Sequence, residues 1–324
     1  MLFLSGADVR ACLPCEPAMA SVEEALAIQE GGAFSMPERL NMECGQPGNI
    51  LLLMPCRTEQ ALATKLISVF PSNRAGSLPA INGLVVLNDA HTGEVLAVMD
   101  GQSVTAIRTG AVTGVSVRHL APAGATTLGL LGCGVQAFDQ VRHACAAQPL
   151  ERVLLHSRSR SSAESLRDRL APELPQLSVE VASSLEQLIQ ASQILITATS
   201  SRTPVLPDDP AAFEGKHCVA IGSFESDVRE YPDAIFSRTA QVWVDTPHAM
   251  AESGELSNPL ERGILHADQV QTLGALIASG AEPNRGEYGT TFFKSVGMAL
   301  FDLQAARAVH AAAVERGLGT QLAL

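Results

Sequence analysis

Residues 127–147 read TLGLLGCGVQAFDQVRHACAA, and this stretch decides the fold class of the chain. The apolar run TLGLL predicts a buried strand, and the residues after the glycines predict a helix. Between them stands the pattern GxGxxA, in which Gly132 permits a tight turn, Gly134 lets a diphosphate approach the backbone and Ala137 keeps the helix close to the sheet. The stretch predicts a βα unit that binds a dinucleotide through Gly132, Gly134, Val135, Gln136 and Ala137.

Short strands and helices alternate from residue 125 to residue 245. The further apolar runs that predict strands are RVLLHS, LSVEVA, QILITATS, KHCVAIGSF and QVWVD, and helical segments such as SSAESLRDRLAP separate them. This alternation predicts an α/β fold with a parallel, doubly wound sheet of the Rossmann type. The chain from residue 249 onward, including TTFFKSVGMALFDLQ, is predicted to be helical.

The first 120 residues lack this regular alternation of strands and helices. They mix short helical segments with strands, a hairpin and a run of small residues that predicts a tightly packed helix. The strands are predicted at 49–54, 63–69 and 83–87, the hairpin at 88–101 and the helix at 103–120.

Composition restricts the class of protein. The chain has 324 residues, 46% apolar and 17% charged, as expected of a folded globular protein. Its formal net charge of −12 argues against a nucleic-acid partner, because phosphate neutralisation needs clustered Lys and Arg. No apolar run of about 18 residues predicts a membrane span. Seven scattered cysteines predict reduced thiols in the cytoplasm, and no metal site is predicted because no His/Cys/Asp cluster has ligand spacing.

The end of the second predicted strand indicates which dinucleotide binds. An Asp or Glu at this place accepts a hydrogen bond from the ribose 2′-hydroxyl and selects NAD. Here the chain reads HSRSRS, without a carboxylate, and Ser157, Arg158 and Ser159 could pair with a 2′-phosphate. These residues favour NADPH over NADH, although the same residues would also suit a solvated helix N-terminus.

Three basic residues stand out in the first part of the chain because their neighbours are apolar. They are Arg39, Lys65 and Arg108. A cation in an apolar segment needs an anionic partner. A substrate carboxylate would serve, gripped in forked fashion by arginine, and so would an internal Asp or Glu.

Taken together, these segments resemble the ornithine cyclodeaminase/mu-crystallin family over essentially the whole chain. The resemblance is carried by PER at 37–39, KLISVFP at 65–71, GLVVLNDAHTGEVLAVMDG at 83–101, TAIRTGA at 105–111, GCGVQA at 132–137 and FKSVG at 293–297. It implies a homodimer. It also implies an α+β substrate and dimerisation domain, residues 1–120 plus 302–324, with the Rossmann domain, residues 121–301, inserted between.

The resemblance also implies roles for single residues. Arg39, Lys65 and Arg108 would bind a substrate carboxylate, while Thr109, Val296 and Gly297 would contact the cofactor. A lysine among apolar groups can have a lowered pKa, so Lys65 is our expected proton donor.

Two positions depart from the cyclodeaminase branch of the family. Phe224 stands where cyclodeaminases carry the Asp that handles the amino group and activates water, and Ala80 stands where they tend to carry threonine. A phenyl ring cannot accept a proton, so Phe224 is expected to pack against the substrate ring instead. The lost carboxylate disfavours deamination. With Ser223 and Phe224 here the chain instead resembles the family's cyclic ketimine reductases, which implies reduction of Δ1-pyrroline-2-carboxylate or Δ1-piperideine-2-carboxylate by NADPH or NADH. Open alternatives are a cyclodeaminase, an alanine or N-alkylamino-acid dehydrogenase, and a mu-crystallin-like NADPH-dependent binding protein.

Overall fold

Two sheets organise the chain in the computed structural model, which describes residues 1–75, 78–222 and 225–323. Each sheet has eight strands among the described residues. The chain divides into two units that correspond to these sheets. Unit 1 comprises Met1–Arg108 and Met298–Leu324, and unit 2 comprises Thr109–Gly297.

The secondary structure changes along the chain as predicted, from a mixture of helices and strands to alternating strands and helices. The first part of the chain contains β1 Leu2–Leu4, α1 Gly6–Cys12, α2 Cys15–Gly31, β2 Phe34–Ser35, β3 Leu40–Glu43, β4 Ile50–Thr58, β5 Ala61–Val69, β6 Ile81–Asp89, β7 Val95–Asp100 and α3 Gly101–Leu120. The next elements are β8 Thr127–Leu131, α4 Ala137–Ala147, β9 Arg152–His156, α5 Arg160–Leu170, β10 Ser178–Val181, α6 Leu185–Ala191, β11 Ile194–Thr197 and β12 His217–Ala220. The last are β13 Thr239–Val244, α7 Ala249–Glu252, α8 Gly254–Glu261, β14 Val270–Thr272, α9 Leu273–Ser279, β15 Thr290–Lys294, α10 Ala299–Arg316 and β16 Thr320–Gln321.

The sheet of unit 1 is mixed, in the order β16-β1-β7-β6-β5-β4-β2, with β3 paired to β4. β1 runs parallel to β7, and the other pairs are antiparallel. Helix α10 packs against β4, β5 and β6 and also against α2. Buried and partly exposed residues alternate along β5, because side chains of a strand point alternately to its two faces. Ala61, Ala63, Lys65 and Ile67 lie on the buried face.

The sheet of unit 2 is parallel throughout, in the order β10-β9-β8-β11-β12-β15-β13-β14. Its central strands are buried apolar runs, as expected of a sheet covered on both faces. The strand order reverses between β8 and β11, and ligands of such sheets bind outside the carboxyl ends of the strands at this switch point. The predicted Rossmann-type fold class is confirmed.

Unit 2 begins inside helix α3, earlier than the predicted start at residue 121. The reason is that the second half of α3 packs within unit 2. Ser116 Oγ lies 3.3 Å from His217 Nε2, and the Leu120 carbonyl accepts a hydrogen bond of 3.0 Å from Thr291 Oγ1. Unit 1 resumes at Met298, directly before α10, rather than at the predicted residue 302.

The prediction that the chain is helical from residue 249 onward is wrong at TTFFK. These residues form β15, which lies between β12 and β13 in the parallel sheet. Five residues are too few for a stable helix. The two threonines and two phenylalanines prefer strands, and all five residues are buried in the sheet. Residues 270–272 are also a strand, whereas the prediction of a helix holds for α10.

No helix among the described residues is both long and apolar enough to span a membrane.

Candidate active site

The glycine turn between β8 and α4 has the geometry of a diphosphate cradle. Gly132 has φ +101°, and a Cβ atom there would lie 2.6 Å from the carbonyl oxygen of Ala198. A Cβ atom on Gly134 would meet no atom of the described chain within 4 Å, so open space lies beside its backbone. Ala137 is fully buried at the first position of α4. This arrangement fits the diphosphate of a dinucleotide at a helix N-terminus.

The other two residues assigned to the turn lie at its outer side. The Val135 side chain is 59% exposed, and Gln136 is the N-cap of α4 but makes no side-chain capping hydrogen bond. The N-terminal N–H groups of α4 therefore have no side-chain acceptor at this cap and can donate to an anion.

The predicted ribose-binding residues lie next to this turn. The backbone N–H of Gly132 donates to the carbonyl of His156, the last residue of β9, at 2.9 Å. Ser157 follows, half-buried, and Arg158 is exposed, with no ion pair to a carboxylate among the described residues. Ser159 is the N-cap of α5, and its Oγ lies 2.8 Å from that of Ser161. No acidic side chain occupies this strand end, so a 2′-phosphate would meet no repulsion from these residues.

A turn after β15 contains the residues that the family resemblance places near the cofactor. Asp245, which follows β13, accepts three hydrogen bonds through Oδ2. Its donors are Ser295 Oγ at 2.6 Å, Val296 N at 3.1 Å and Gly297 N at 2.7 Å. Gly297 has φ +73°, a conformation that favours glycine. The buried carboxylate of Asp245 thus fixes this turn, a role that the sequence analysis missed.

A second buried carboxylate, Glu230, joins the ends of β11 and β12. Its Oε2 accepts from Thr197 Oγ1 and from Gly222 N, each at 2.8 Å, and its Oε1 accepts from Thr199 N at 2.6 Å. The pKa of Glu230 is raised, mainly because burial disfavours the charged form.

A buried ion pair lies beside Glu230, and its carboxylate contacts the Glu230 backbone. The Glu230 N–H donates to Glu255 Oε1, and Glu255 Oε2 lies 3.2 Å from Lys294 Nζ. Glu255 and Lys294 are fully buried. By contrast, the exposed carboxylates of Glu225 and Asp227 pair with Arg202 at the surface. The carboxylates after Gly222 thus differ in role: those of Glu225 and Asp227 form surface ion pairs, whereas that of Glu230 accepts backbone N–H groups.

Two of the three predicted basic residues, Lys65 and Arg108, contact the same internal carboxylate. Lys65 lies in β5, Arg108 in α3 and Asp302 in the first turn of α10. Lys65 Nζ is 2.7 Å from Asp302 Oδ2, and Arg108 Nε is 3.1 Å from Asp302 Oδ1. All three side chains are at most 8% exposed. We call these residues the Asp302 cluster.

Burial sets the protonation of the lysine in this cluster. It lowers the pKa of Lys65 to about 8, because a buried ammonium loses its hydration. Asp302 opposes this shift, while Arg108 and Arg39 add to it. Cys56, on β4, is also affected: burial first and Asp302 second raise its pKa to about 12, so its thiol stays protonated at neutral pH.

The structure answers the open question about the partners of Lys65 and Arg108. Asp302 is the internal carboxylate, and it pairs with both cations. With one negative and two positive charges, the three side chains carry a net positive charge when Lys65 is protonated. Arg39 lies close enough to add to the positive potential at Lys65 and lower its pKa. The hydrogen bond of Arg108 to Asp302 uses Nε, so its terminal Nη groups can grip a second carboxylate side by side. The cluster therefore suits a small anionic ligand.

Three predicted site residues lie outside these clusters or outside the described chain. Thr109 is buried in α3, one residue after Arg108. Arg39 is half-buried, directly before β3. Phe224 lies outside the described residues. Asp302 could have been found from the sequence, because a lone Asp in the apolar run MALFDLQAARAV is the natural complement of Lys65 and Arg108. No group of three or more potential metal ligands occurs among the described residues.

The fold and the glycine turn define a two-unit α/β protein of the Rossmann dinucleotide-binding class. The chain belongs to the ornithine cyclodeaminase/mu-crystallin family, whose model matches residues 1–317. The family resemblance in the sequence is thereby confirmed.

The chain is similar to several named reductases and dehydrogenases in sequence or in structure. A Δ1-pyrroline-2-carboxylate reductase of Bacillus cereus is 33% identical over 304 residues, which cover 92% of this chain and 93% of the relative. The Thermococcus litoralis Δ1-pyrroline-2-carboxylate reductase, solved with NADH and L-proline, is 30% identical with a TM-score of 0.91, covering 99% of this chain and 100% of that one. An archaeal alanine dehydrogenase, solved as a dimer with bound NAD, is 26% identical with a TM-score of 0.89, covering 100% of this chain and 99% of that one.

The two glycines of the turn predict opposite effects of one substitution. Gly132→Ala should lower the free energy of unfolding by about 1–3 kcal/mol or more, because φ is positive and the new Cβ would strike the Ala198 carbonyl. Gly134→Ala should leave stability unchanged but weaken dinucleotide binding about tenfold or more, since its Cβ enters the open space. Denaturant unfolding and cofactor titration measure the two effects. Equal loss of stability in both variants would contradict the assignment of the open space to the diphosphate.

Proposed function

We propose that this protein is an NAD(P)H-dependent oxidoreductase that reduces cyclic ketimines. Its substrates are Δ1-pyrroline-2-carboxylate, Δ1-piperideine-2-carboxylate or both, and its products are L-proline and L-pipecolate. The observation that carries the proposal is the Asp302 cluster, which combines a guanidinium able to grip a carboxylate with a lysine whose pKa is about 8. The activities of the reductases of Bacillus cereus and Thermococcus litoralis support it.

The arginines bind the substrate carboxylate. The terminal Nη groups of Arg108 take both carboxylate oxygens, and Arg39 adds a second positive charge. Holding the carboxylate by two points fixes the ring, so that one face of the C=N bond is presented for reaction.

Lys65 supplies the proton. When bound, NAD(P)H supplies a hydride to the carbon of the C=N bond. The ammonium of Lys65 donates a proton to the imine nitrogen, so the product is a neutral secondary amine at that nitrogen and Lys65 regains its proton from water. A pKa of about 8 makes Lys65 mostly protonated at neutral pH yet a better acid than an ordinary lysine.

The pH dependence of reduction follows from Lys65. Because the donor must be an ammonium, kcat/KM for ketimine reduction should be flat below pH 8 and fall about tenfold per unit above it. Lys65→Met should lower kcat by about 10²–10⁴-fold and abolish this limb. NADPH oxidation with both ring sizes, over a pH series, measures these effects. Thermal unfolding shows that the variant is folded.

The same assay separates the alternatives. Absence of turnover with either ring size in the wild type would overturn the proposal. Ammonium-dependent reduction of pyruvate would replace it by an alanine dehydrogenase, and release of proline from ornithine by a cyclodeaminase. Tight ligand binding without measurable turnover would indicate a binding protein of the mu-crystallin kind.

NADPH is the preferred cofactor in this proposal. Ser157 and Arg158 support it, because no carboxylate at this strand end accepts from a 2′-hydroxyl and Arg158 is free to pair with a 2′-phosphate. The relatives with bound NADH and NAD support NADH as the second cofactor.

A single substitution tests this preference. Arg158→Ala should raise KM for NADPH about tenfold or more and change KM for NADH little, because only the 2′-phosphate loses a partner. Arg160→Ala is the matched control, since Arg160 already pairs with Glu164 at 3.0 Å. Equal KM changes for NADPH and NADH in Arg158→Ala would show that Arg158 does not select the cofactor.

We further propose that the protein is a homodimer that joins through the outer face of the unit 1 sheet. Directly opposed residues form an apolar row across four strands: Leu40, Leu53, Leu66 and Leu84. The next row contains Met42 and Leu51. Leu40 is 55% and Met42 48% exposed, and the other residues of the rows are partly exposed. The second row continues with the polar Ser68 and Asn82, so the apolar surface is centred on the four leucines. Such an apolar row suits a second copy of the chain, and the dimeric alanine dehydrogenase supports this choice.

A charge in the middle of this row should separate the subunits. Leu66→Asp is expected to convert the dimer to a monomer, because it would bury an unpaired carboxylate in an apolar interface. Val314→Asp, an equal change at a 61% exposed site of α10, should leave the dimer intact. Light scattering after size-exclusion chromatography measures the mass. A monomeric wild type, or a dimeric Leu66→Asp variant, would contradict this interface.

A cytoplasmic location also belongs to the proposal. The seven cysteines, all of which lie among the described residues, form no disulfide, as expected of a reducing compartment.

A further inference from the structure

Asp302 contacts both basic residues of the cluster but has no role in the mechanism so far. It lies in the first turn of α10, with its side chain 2% exposed. Each carboxylate oxygen serves a different cation: Oδ2 faces Lys65 Nζ at 2.7 Å and Oδ1 faces Arg108 Nε at 3.1 Å. The positive end of the α10 dipole also favours a carboxylate at this position.

We propose that Asp302 is a positioning residue that aims Arg108 and keeps Lys65 in its ammonium form for proton donation. This inference rests on the proposed function, because it names the group that prepares the same site for its reaction.

The geometry explains how one carboxylate can aim the guanidinium. Asp302 accepts a hydrogen bond from Nε, and this contact restricts rotation of the Arg108 guanidinium plane. The edge that carries both terminal nitrogens is then available for a substrate carboxylate, which they can bind side by side. An Arg108 without this inner contact would lose rotational order and, with it, bidentate binding.

The charges around Lys65 explain the second role. From α3 and from the segment before β3, Arg108 and Arg39 disfavour the ammonium, and burial disfavours it further. Cys56, from β4, remains a neutral thiol. Among the described groups that act on Lys65, Asp302 is the one that favours the ammonium. Without Asp302, every remaining influence would drive the proton off Lys65.

The chain offers a direct measurement of this proton. It contains only three lysines, Lys65, Lys216 and Lys294, so protein labelled with ε-¹³C lysine gives three NMR signals. The Lys65 signal is the one missing from Lys65→Met. In the wild type it should titrate at about pH 8. In Asp302→Asn, which keeps the side-chain shape, the midpoint should fall by about one to three pH units.

Two further variants separate charge from fold. Asp302→Glu keeps the negative charge, so the midpoint of Lys65 should stay within about half a unit of the wild type. It moves the carboxylate by one methylene, so kcat/KM should still fall. Glu24→Gln is the matched control, because it also removes a carboxylate that pairs with α10: Glu24 lies 3.0 Å from Arg307 of that helix. This variant should leave both the titration midpoint of Lys65 and kcat/KM unchanged.

Kinetics provide the second readout. In Asp302→Asn, the alkaline limb of kcat/KM should move to lower pH together with the NMR midpoint, so that activity lost at pH 8 is partly regained at pH 6. A general loss of fold would lower activity equally at all pH values. An unchanged Lys65 midpoint in Asp302→Asn, or an equal fall in Asp302→Glu, would overturn the role of Asp302. Absence of ketimine turnover in the wild type would overturn the proposed function alone, because the NMR titration needs no substrate.

Discussion

Two cations lie buried in unit 1 because one carboxylate, Asp302, is within ion-pair distance of both. Removing the partner of a buried charge typically costs about 3–5 kcal/mol, so the three side chains constrain the elements that carry them. β5, α3 and α10 must keep their relative positions for these contacts to exist. The same contacts leave the cluster with more positive than negative charge, which is the property that an anionic substrate needs.

Unit 2 uses buried carboxylates in a different way, as acceptors for backbone N–H groups. Asp245 holds the turn of residues 295–297, and Glu230 joins the backbone after β11 to that after β12. Loops at the carboxyl ends of parallel strands have no ladder partners, so side-chain acceptors are needed to define their shape. The glycine turn lies at this end of the same sheet, after β8. Rigid loops here are what a dinucleotide site requires, because binding then orders less of the chain.

The glycine turn and the two buried cations could be predicted from the sequence, since each is recognised from residues that are neighbours along the chain. The glycine turn follows from spacing within 132–137, and the exceptional character of Lys65 and Arg108 follows from their apolar neighbours. The segment TTFFK could not be placed correctly, because a short apolar run next to a helix has no periodicity of its own. Its strand state depends on β12 and β13, which lie far away in the sequence.

The sequence by itself determined the class of fold, the dinucleotide turn and the need of three basic residues for anionic partners. Those properties are encoded in side chains a few residues apart. Only the tertiary structure decided that Asp302 is the shared partner of Lys65 and Arg108, and that Glu230 rather than Glu225 or Asp227 anchors the loop ends. The physical reason is that an ion pair depends on distance in space. Asp302 stands 194 positions from Arg108 along the chain, and folding alone brings them together.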